Sequence, residues 1–227
     1  MPIEQLVMDP IGFLRELLWF LPAVLLALTL HECAHGLVAY WCGDRTAKMM
    51  GRLSANPLRH IDPVGMFMMI FAGIGWAKPV PVNPYNFRHG RRDDFLVSIA
   101  GVTVNLILFL LSLFGFYAIQ VLWANPNGAF YDYLLQFTWT FATLNLSLAL
   151  FNLLPIPPLD GYHVLNDLLL KRPLFADARA MQIGQGILII AAITGLLNRI
   201  LSVGLNFVLN HASDLIFTIF QWLGWIR

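Results

Sequence analysis

The run from Trp19 to Leu30 is apolar, and it leads without a break into His31-Glu32-Cys33-Ala34-His35. That juxtaposition constrains the fold more than any other feature of the chain. An apolar stretch of about 20 residues reads as a helix that crosses a membrane. On a helix, residues four apart share a face, so His31 and His35 can reach one metal ion. Zinc takes imidazole nitrogen readily, and a catalytic zinc keeps one position open for water. Glu32 is placed to take a proton from that water. Three such groups in an apolar helix are costly unless they work together. The pattern implies a zinc hydrolase, with one Zn2+ per chain, whose active site lies within a membrane.

The rest of the chain has the composition this reading requires. Hydrophobic residues make up 58% and charged residues 12%, with a mean hydropathy of +0.68. Soluble domains carry about a quarter charged residues. A net charge of +1 argues against nucleic acid as a partner, because there is no basic surplus to neutralise phosphates. Residues 1–227 are read as a single domain. Met1 to Pro10 contain Glu4 and Asp9 but no Lys or Arg, so no cleavable signal peptide is expected. Cys33 and Cys42 would lie roughly 13 Å apart on one helix, too far for a disulfide. Cys33 also falls on a different face from His31 and His35, which argues against a thiolate ligand.

Hydropathy predicts spans over about residues 12–42, 95–122, 133–154 and 183–205, with a terminal apolar segment over 215–226. Between the first two spans lies a turn-rich region, residues 48–92. Its apolar piece, Val64 to Ile74, is too short to span and predicts a re-entrant half-helix. Its other pieces predict short extended segments. The expected fold is therefore mainly α: a polytopic membrane helical bundle with a small membrane-associated β-sheet or hairpin. Arg45, Lys48, Arg52, Arg59, Lys78, Arg88, Arg91 and Arg92 fall between the first two spans. Lys171, Arg172 and Arg179 fall between the third and fourth, and the loop from Asn125 to Asp132 has no basic residue. The positive-inside rule then puts both basic connections in the cytoplasm and the histidines toward the cytoplasmic side.

Two histidines and a water leave a tetrahedral zinc one ligand short. Asp160 is the strongest candidate among the remaining histidines and carboxylates. It follows Pro155-Ile156-Pro157-Pro158-Leu159 and precedes Gly161. The prolines break the helix and free backbone groups that hydrocarbon cannot satisfy. Such breaks survive where they line a protein cavity. The competing reading is that Asp160 caps the next helix; the histidine motif favours the ligand.

His-Glu-x-x-His in an apolar helix, together with Asn152-Leu-Leu-Pro155-Ile-Pro157-Pro-Leu-Asp160-Gly161, resembles the site-2 protease family of intramembrane metalloproteases. The likeness runs from about Ala27 to Leu165. Gly51-Arg52-Leu53, Asn56-Pro57-Leu58 and Gly75-Trp76-Ala77-Lys78-Pro79-Val80-Pro81-Val82-Asn83-Pro84 are similar to the short branch without PDZ or CBS domains. The resemblance implies a zinc site from His31, His35 and Asp160, with Glu32 as catalytic base. It also implies an intramembrane endopeptidase that cuts in or near the transmembrane segments of single-span proteins. The partners would be those substrates and the lipid bilayer of the plasma membrane; the sequence specifies no oligomeric state. The rival is a catalytically silent metal-binding scaffold, which would have no need of Glu32. The family usually carries Ala-Gly-Pro-x-x-Asn in its second span; here Val102 replaces the proline, while Asn105 is present. By resemblance, Asn105 would stabilise an oxyanion or orient substrate. An Asn in an apolar span needs a polar partner, so bridging helices is its other reading. Asn152 has a similar claim, beside satisfying the helix break.

Within Lys78 to Val82, Pro79 and Pro81 place every missing N–H on one edge. Lys78, Val80 and Val82 keep donors on the other, to which an unwound substrate could add as a strand. The alternative partner for that edge is the chain's own Lys48 to Ser54 segment. His163 could stand behind the ligands, with a helix-surface position the favoured reading. His60, His89 and His211 read as boundary residues. Met66, Met68 and Met69 could touch a substrate helix, with plain apolar packing favoured.

Overall fold

A computed structural model describes residues 2–72, 75–123, 126–170 and 178–226. Helix α1 (Pro2–Met8) turns at Asp9 into the long α2 (Pro10–Trp41). The Asp9 carboxylate accepts the Gly12 N–H at 2.9 Å and Pro10 takes the first helical position, the preferred chemistry for a helix start. At roughly 48 Å, α2 exceeds the thickness of a hydrocarbon core even with tilt. Helix α3 (Thr46–Met49) and α4 (Pro63–Ala72) follow. The remaining elements are α5 (Arg91–Leu122), α6 (Ala129–Asn152), α7 (Asp160–Leu165), α8 (Ala178–Ile193) and α9 (Leu196–Trp222), with a π-helical turn, Asn166–Leu170, after α7. Among the described residues, α2, α5, α6 and α9 are long and apolar enough to cross a membrane. The protein is mainly helical and multi-pass.

The first three spans lie where hydropathy puts them. The fourth does not. The expected span over 183–205 is divided: α8 ends at Ile193, and Gly195, with φ of 74°, starts α9. The terminal segment over 215–226 is largely the end of that same helix. A glycine in the left-handed region interrupts a helix without lowering hydropathy, so the break is invisible to a hydrophobicity count.

The main core sits where α5, α6 and α9 meet. Phe109 and Leu113 pack against Ala142, Leu146, Leu209, Ala212, Ile216 and Phe220. In lipid there is no hydrophobic drive between helices, so close packing and small residues carry the association. Asn145 is fully buried there and donates to the Phe141 carbonyl at 2.7 Å. Thr103, Ser112, Thr138, Thr143 and Ser147 likewise donate to carbonyls one turn back. Each hydroxyl thereby finds an acceptor inside its own helix, the economical solution in hydrocarbon.

The expected small β-sheet is not formed among the described residues. A lone antiparallel bridge joins Ile61 to Ala77. The reason is local. Asn56 and Asn83 each precede a proline, accept the N–H two residues on, and start short 3-10 turns at Pro57–Arg59 and Pro84–Asn86. The donors of the region close local turns or go to side chains. Buried Asp44 accepts Thr46 N–H at 3.0 Å, Asn83 N–H at 2.8 Å and the Asn86 amide at 2.8 Å. Burial opposes the Asp44 charge, yet these donors hold its carboxyl below the usual range. The half-helix expected over Val64 to Ile74 appears as α4, although Ile74 itself lies outside the described residues. Asn125, and the turn expected at Lys171, Arg172 and Pro173, lie outside them as well.

Candidate metal centre and catalytic cavity

Three elements far apart in sequence converge on one point. Helix α2 carries His31, Glu32 and His35 ten residues and less before its end at Trp41, so the site is roughly 15 Å deep along that helix. The break after α6 delivers Asp160, and α5 closes the back. His31 Nε2 and His35 Nε2 are 3.0 Å apart. Asp160 Oδ2 lies 3.5 Å from the first and 3.3 Å from the second. Among the described residues these are the three groups that could hold a metal ion. Tetrahedral ligands bonded at about 2.0–2.1 Å stand about 3.3 Å apart, so this triangle fits zinc.

Backbone and glycine set the geometry of the ligands. The Val97 carbonyl accepts from His35 Nδ1 at 2.7 Å. That contact puts the proton on Nδ1 and leaves the Nε2 lone pair facing Asp160, as a metal ligand requires. A methyl group on Gly101 would stand 2.5 Å from both His31 Cε1 and His35 Nε2. Only glycine lets α5 approach the ligand pair this closely. Val102, in place of the family's proline, is buried in a continuous α5.

The break is built with similar economy. Leu159, not Asp160, is the N-cap of α7, so the capping alternative for Asp160 does not apply. A Cβ at Gly161 would meet the Leu153 carbonyl oxygen at 2.3 Å. The start of α7 therefore sits directly on the end of α6. Gly184 brings α8 onto the same break, where a Cβ would lie 2.0 Å from the Pro157 carbonyl oxygen.

A cavity of about 460 Å³ opens in front of the triangle. Glu32 borders it and accepts the Val80 N–H at 2.7 Å. Two of the three donors expected to form a free strand edge are thus spent on the protein itself: Lys78 N–H donates to the His60 carbonyl at 2.8 Å, and Val80 N–H goes to Glu32. Lys48 to Ser54 does contact this segment, but through a side chain: Arg52 Nη2 donates to the Lys78 and Pro79 carbonyls at 2.8 and 3.2 Å. Val80 is buried, and Val80 and Val82 line the cavity wall.

The two asparagines separate. Asn152 borders the cavity and donates to the Leu148 carbonyl at 3.0 Å. Asn105 has no exposed surface, neighbours His31 and is not among the residues that line the cavity. His60, read from sequence as a boundary residue, is 1% exposed, and its Nε2 lies 2.7 Å from the Ser54 carbonyl. Burial pushes its imidazole down. The Cys33 thiol donates to the same carbonyl at 3.0 Å, away from the ligand triangle. His89 is exposed beside Asp93, and His211 lies within α9.

Sequence reasoning missed Asp44, Arg52 and Asp94, and it left His163 on a helix surface. His163 in fact lines the cavity, 3.5 Å from Asp94. The available signal was two acids, Asp93 and Asp94, opening an apolar span, a placement that the helix dipole alone would explain.

These features define a helical membrane protein with two histidines and a carboxylate placed to hold a metal ion and an adjacent glutamate. Comparison with known proteins makes the class specific. A profile described as "Peptidase family M50" matches residues 122–193. The Bacillus subtilis protein named "Putative zinc metalloprotease YwhC" is 48% identical over 150 residues, covering 64% of this chain and 66% of that protein. Proteins named "Putative zinc metalloprotease Rip2" are 30% identical over 199 residues in Mycolicibacterium smegmatis and 32% over 201 residues in Mycobacterium tuberculosis. Both alignments cover 84% of this chain and 72% of the relative. No solved structure matches the chain. The chain belongs to peptidase family M50, the site-2 protease family of zinc metalloproteases.

Proposed function

We propose that the protein is an intramembrane endopeptidase that hydrolyses peptide bonds in or near the transmembrane segments of single-span membrane proteins. The observation that carries this reading is the meeting of Glu32 with the His31, His35 and Asp160 triangle in a cavity deep along a membrane-length helix. A structural metal site is normally closed by four protein ligands and needs no base. Here three ligands and a base face open space, which speaks against the silent scaffold.

His31, His35 and Asp160 would hold one zinc ion, which supplies Lewis acidity to polarise a carbonyl and make water acidic enough to attack near neutral pH. Glu32 takes the proton of the attacking water and passes it to the leaving nitrogen. Val80 N–H fixes one oxygen of Glu32, which borders the cavity. A helical substrate hides its peptide groups, so it must unwind locally to enter. Purified protein in detergent, given a defined single-span substrate, should cleave it, and a zinc chelator should stop the reaction. Cleavage that survives complete zinc removal would sink the assignment.

The orientation is part of the proposal. The basic region between α2 and α5 faces the cytoplasm of a plasma-membrane protein, which puts the cavity toward the cytoplasmic side. In a background lacking Cys33 and Cys42, a cysteine at Asn127 should react with an impermeant maleimide added to intact cells, and one at Arg91 should be protected. The reverse pattern would overturn the orientation.

A further inference from the structure

Hydrolysis at this site sets three tasks. The ligand triangle holds the metal, and Glu32 moves the proton. The third task is to stabilise the negative charge that grows on the carbonyl oxygen as water attacks. The family resemblance implied Asn105 for it, but Asn105 has no exposed surface and is not among the residues that line the cavity.

The cavity wall carries another donor. His163 projects from α7, three residues beyond Asp160, and lines the same cavity as Glu32. Its side chain keeps 24% of its surface exposed. Its Nδ1 stands 3.5 Å from Oδ2 of Asp94, which is 4% exposed in the first turn of α5. Asp167, 8% exposed, lies behind on the π-helical turn. Burial and the neighbouring Asp94 charge push its carboxyl up to about 7. A buried carboxylate facing Nδ1 keeps a proton on that nitrogen and stabilises positive charge on the ring. Asp94 also raises the His163 pKa, against the effect of burial. With Nδ1 paired to Asp94, Nε2 is the nitrogen the ring can offer to another partner. Asn152, the other amide on the wall, spends one of its two N–H donors on the Leu148 carbonyl, and no buried charge among the described residues holds its orientation as Asp94 holds that of His163.

We propose that His163 is a catalytic residue, held by Asp94, whose Nε2–H donates to the oxygen of the scissile carbonyl as charge develops there. This inference rests on the peptide-bond hydrolysis proposed above. The step balances without a new reactant. The water oxygen bonds to the carbonyl carbon, the π pair moves to the carbonyl oxygen, and Glu32 takes the water proton. When the C–N bond breaks, that proton goes to the leaving nitrogen. His163 keeps its own proton and supplies a preorganised donor where the charge appears.

The test uses the purified full chain with zinc, a defined single-span substrate, and a phosphinic peptide that mimics the tetrahedral anion. Four readouts are taken: kcat, KM, zinc per chain and phosphinic-peptide affinity by calorimetry. His163→Leu should lower kcat by about 10²–10³-fold, the usual loss on removing one oxyanion donor. KM and zinc content should stay at parental values, and phosphinic-peptide affinity should fall. His163→Gln, which keeps an N–H donor, should recover part of kcat. Asp94→Asn should lower kcat less, and should add little to His163→Leu because it acts through the same group. Parental kcat in zinc-loaded His163→Leu overturns the proposal. So does loss of zinc in both His163 variants, which would mark a structural role. A zinc-loaded parent that leaves the substrate intact overturns the proposed function and this inference together. A cleaving parent with indifferent His163 variants overturns only the inference.

Discussion

Replacing Glu32 by glutamine should abolish substrate cleavage while leaving the zinc content of the protein unchanged. The two effects separate because Glu32 is outside the ligand triangle. It borders the cavity and is tied to the chain through the Val80 N–H at 2.7 Å. The glutamine carbonyl oxygen can accept that same N–H, so the segment over the site has no reason to move. What is lost is the capacity to receive a proton. General base catalysis contributes about 10²–10⁴-fold, and the loss should fall at the upper end because no other carboxylate on the cavity wall is free of a partner role. Asp160 belongs to the triangle and Asp94 faces His163. Elemental analysis beside a cleavage assay reads both effects. A Glu32→Gln variant cleaving within tenfold of the parent would show that the base lies elsewhere.

Asp160→Ala should do the opposite and strip the metal. The two Nε2 atoms, 3.0 Å apart, would then face each other with no negative charge between them. Losing a group that merely orients a ligand costs about 10–100-fold in metal affinity, and losing a ligand should cost more. After dialysis against a weak chelator the parent should keep about one zinc per chain and the variant almost none, with cleavage falling in step. Helix α7 should survive the change, since Leu159 is its N-cap, so circular dichroism should stay parental. Asp160→Asn keeps the shape while removing the charge, and should also bind zinc poorly. Full zinc occupancy and normal cleavage in Asp160→Ala would remove Asp160 from the ligand set.

The chain's own pattern carried the class of fold and the choice of candidate metal ligands a long way. Apolar length marks α2, α5 and α6, because lipid demands about 20 residues whose backbone is satisfied within one helix. The four-residue spacing of His31 and His35 is a local property of one helix. The proline run before Asp160 announces a broken helix for an equally local reason. The β-region was misjudged because prolines and extended propensity do not say who receives the remaining donors. Lys78 and Val80 looked like a free edge, yet their N–H groups go to the His60 carbonyl and to Glu32.

Sequence alone therefore determined what short-range periodicity can encode: a mainly helical membrane protein, a histidine pair with a glutamate, and a distant aspartate with the right chemistry. Tertiary structure decided everything that depends on which distant segments touch. It brought Asp160 to within 3.5 Å of both histidine Nε2 atoms and made Gly101 indispensable to the approach of α5. It also enclosed Asn105 completely, and placed His163 on the cavity wall against an acid 69 residues earlier in the chain. Those relations follow from helix-on-helix packing, which depends on the summed fit of many small contacts. No single stretch of sequence displays that sum.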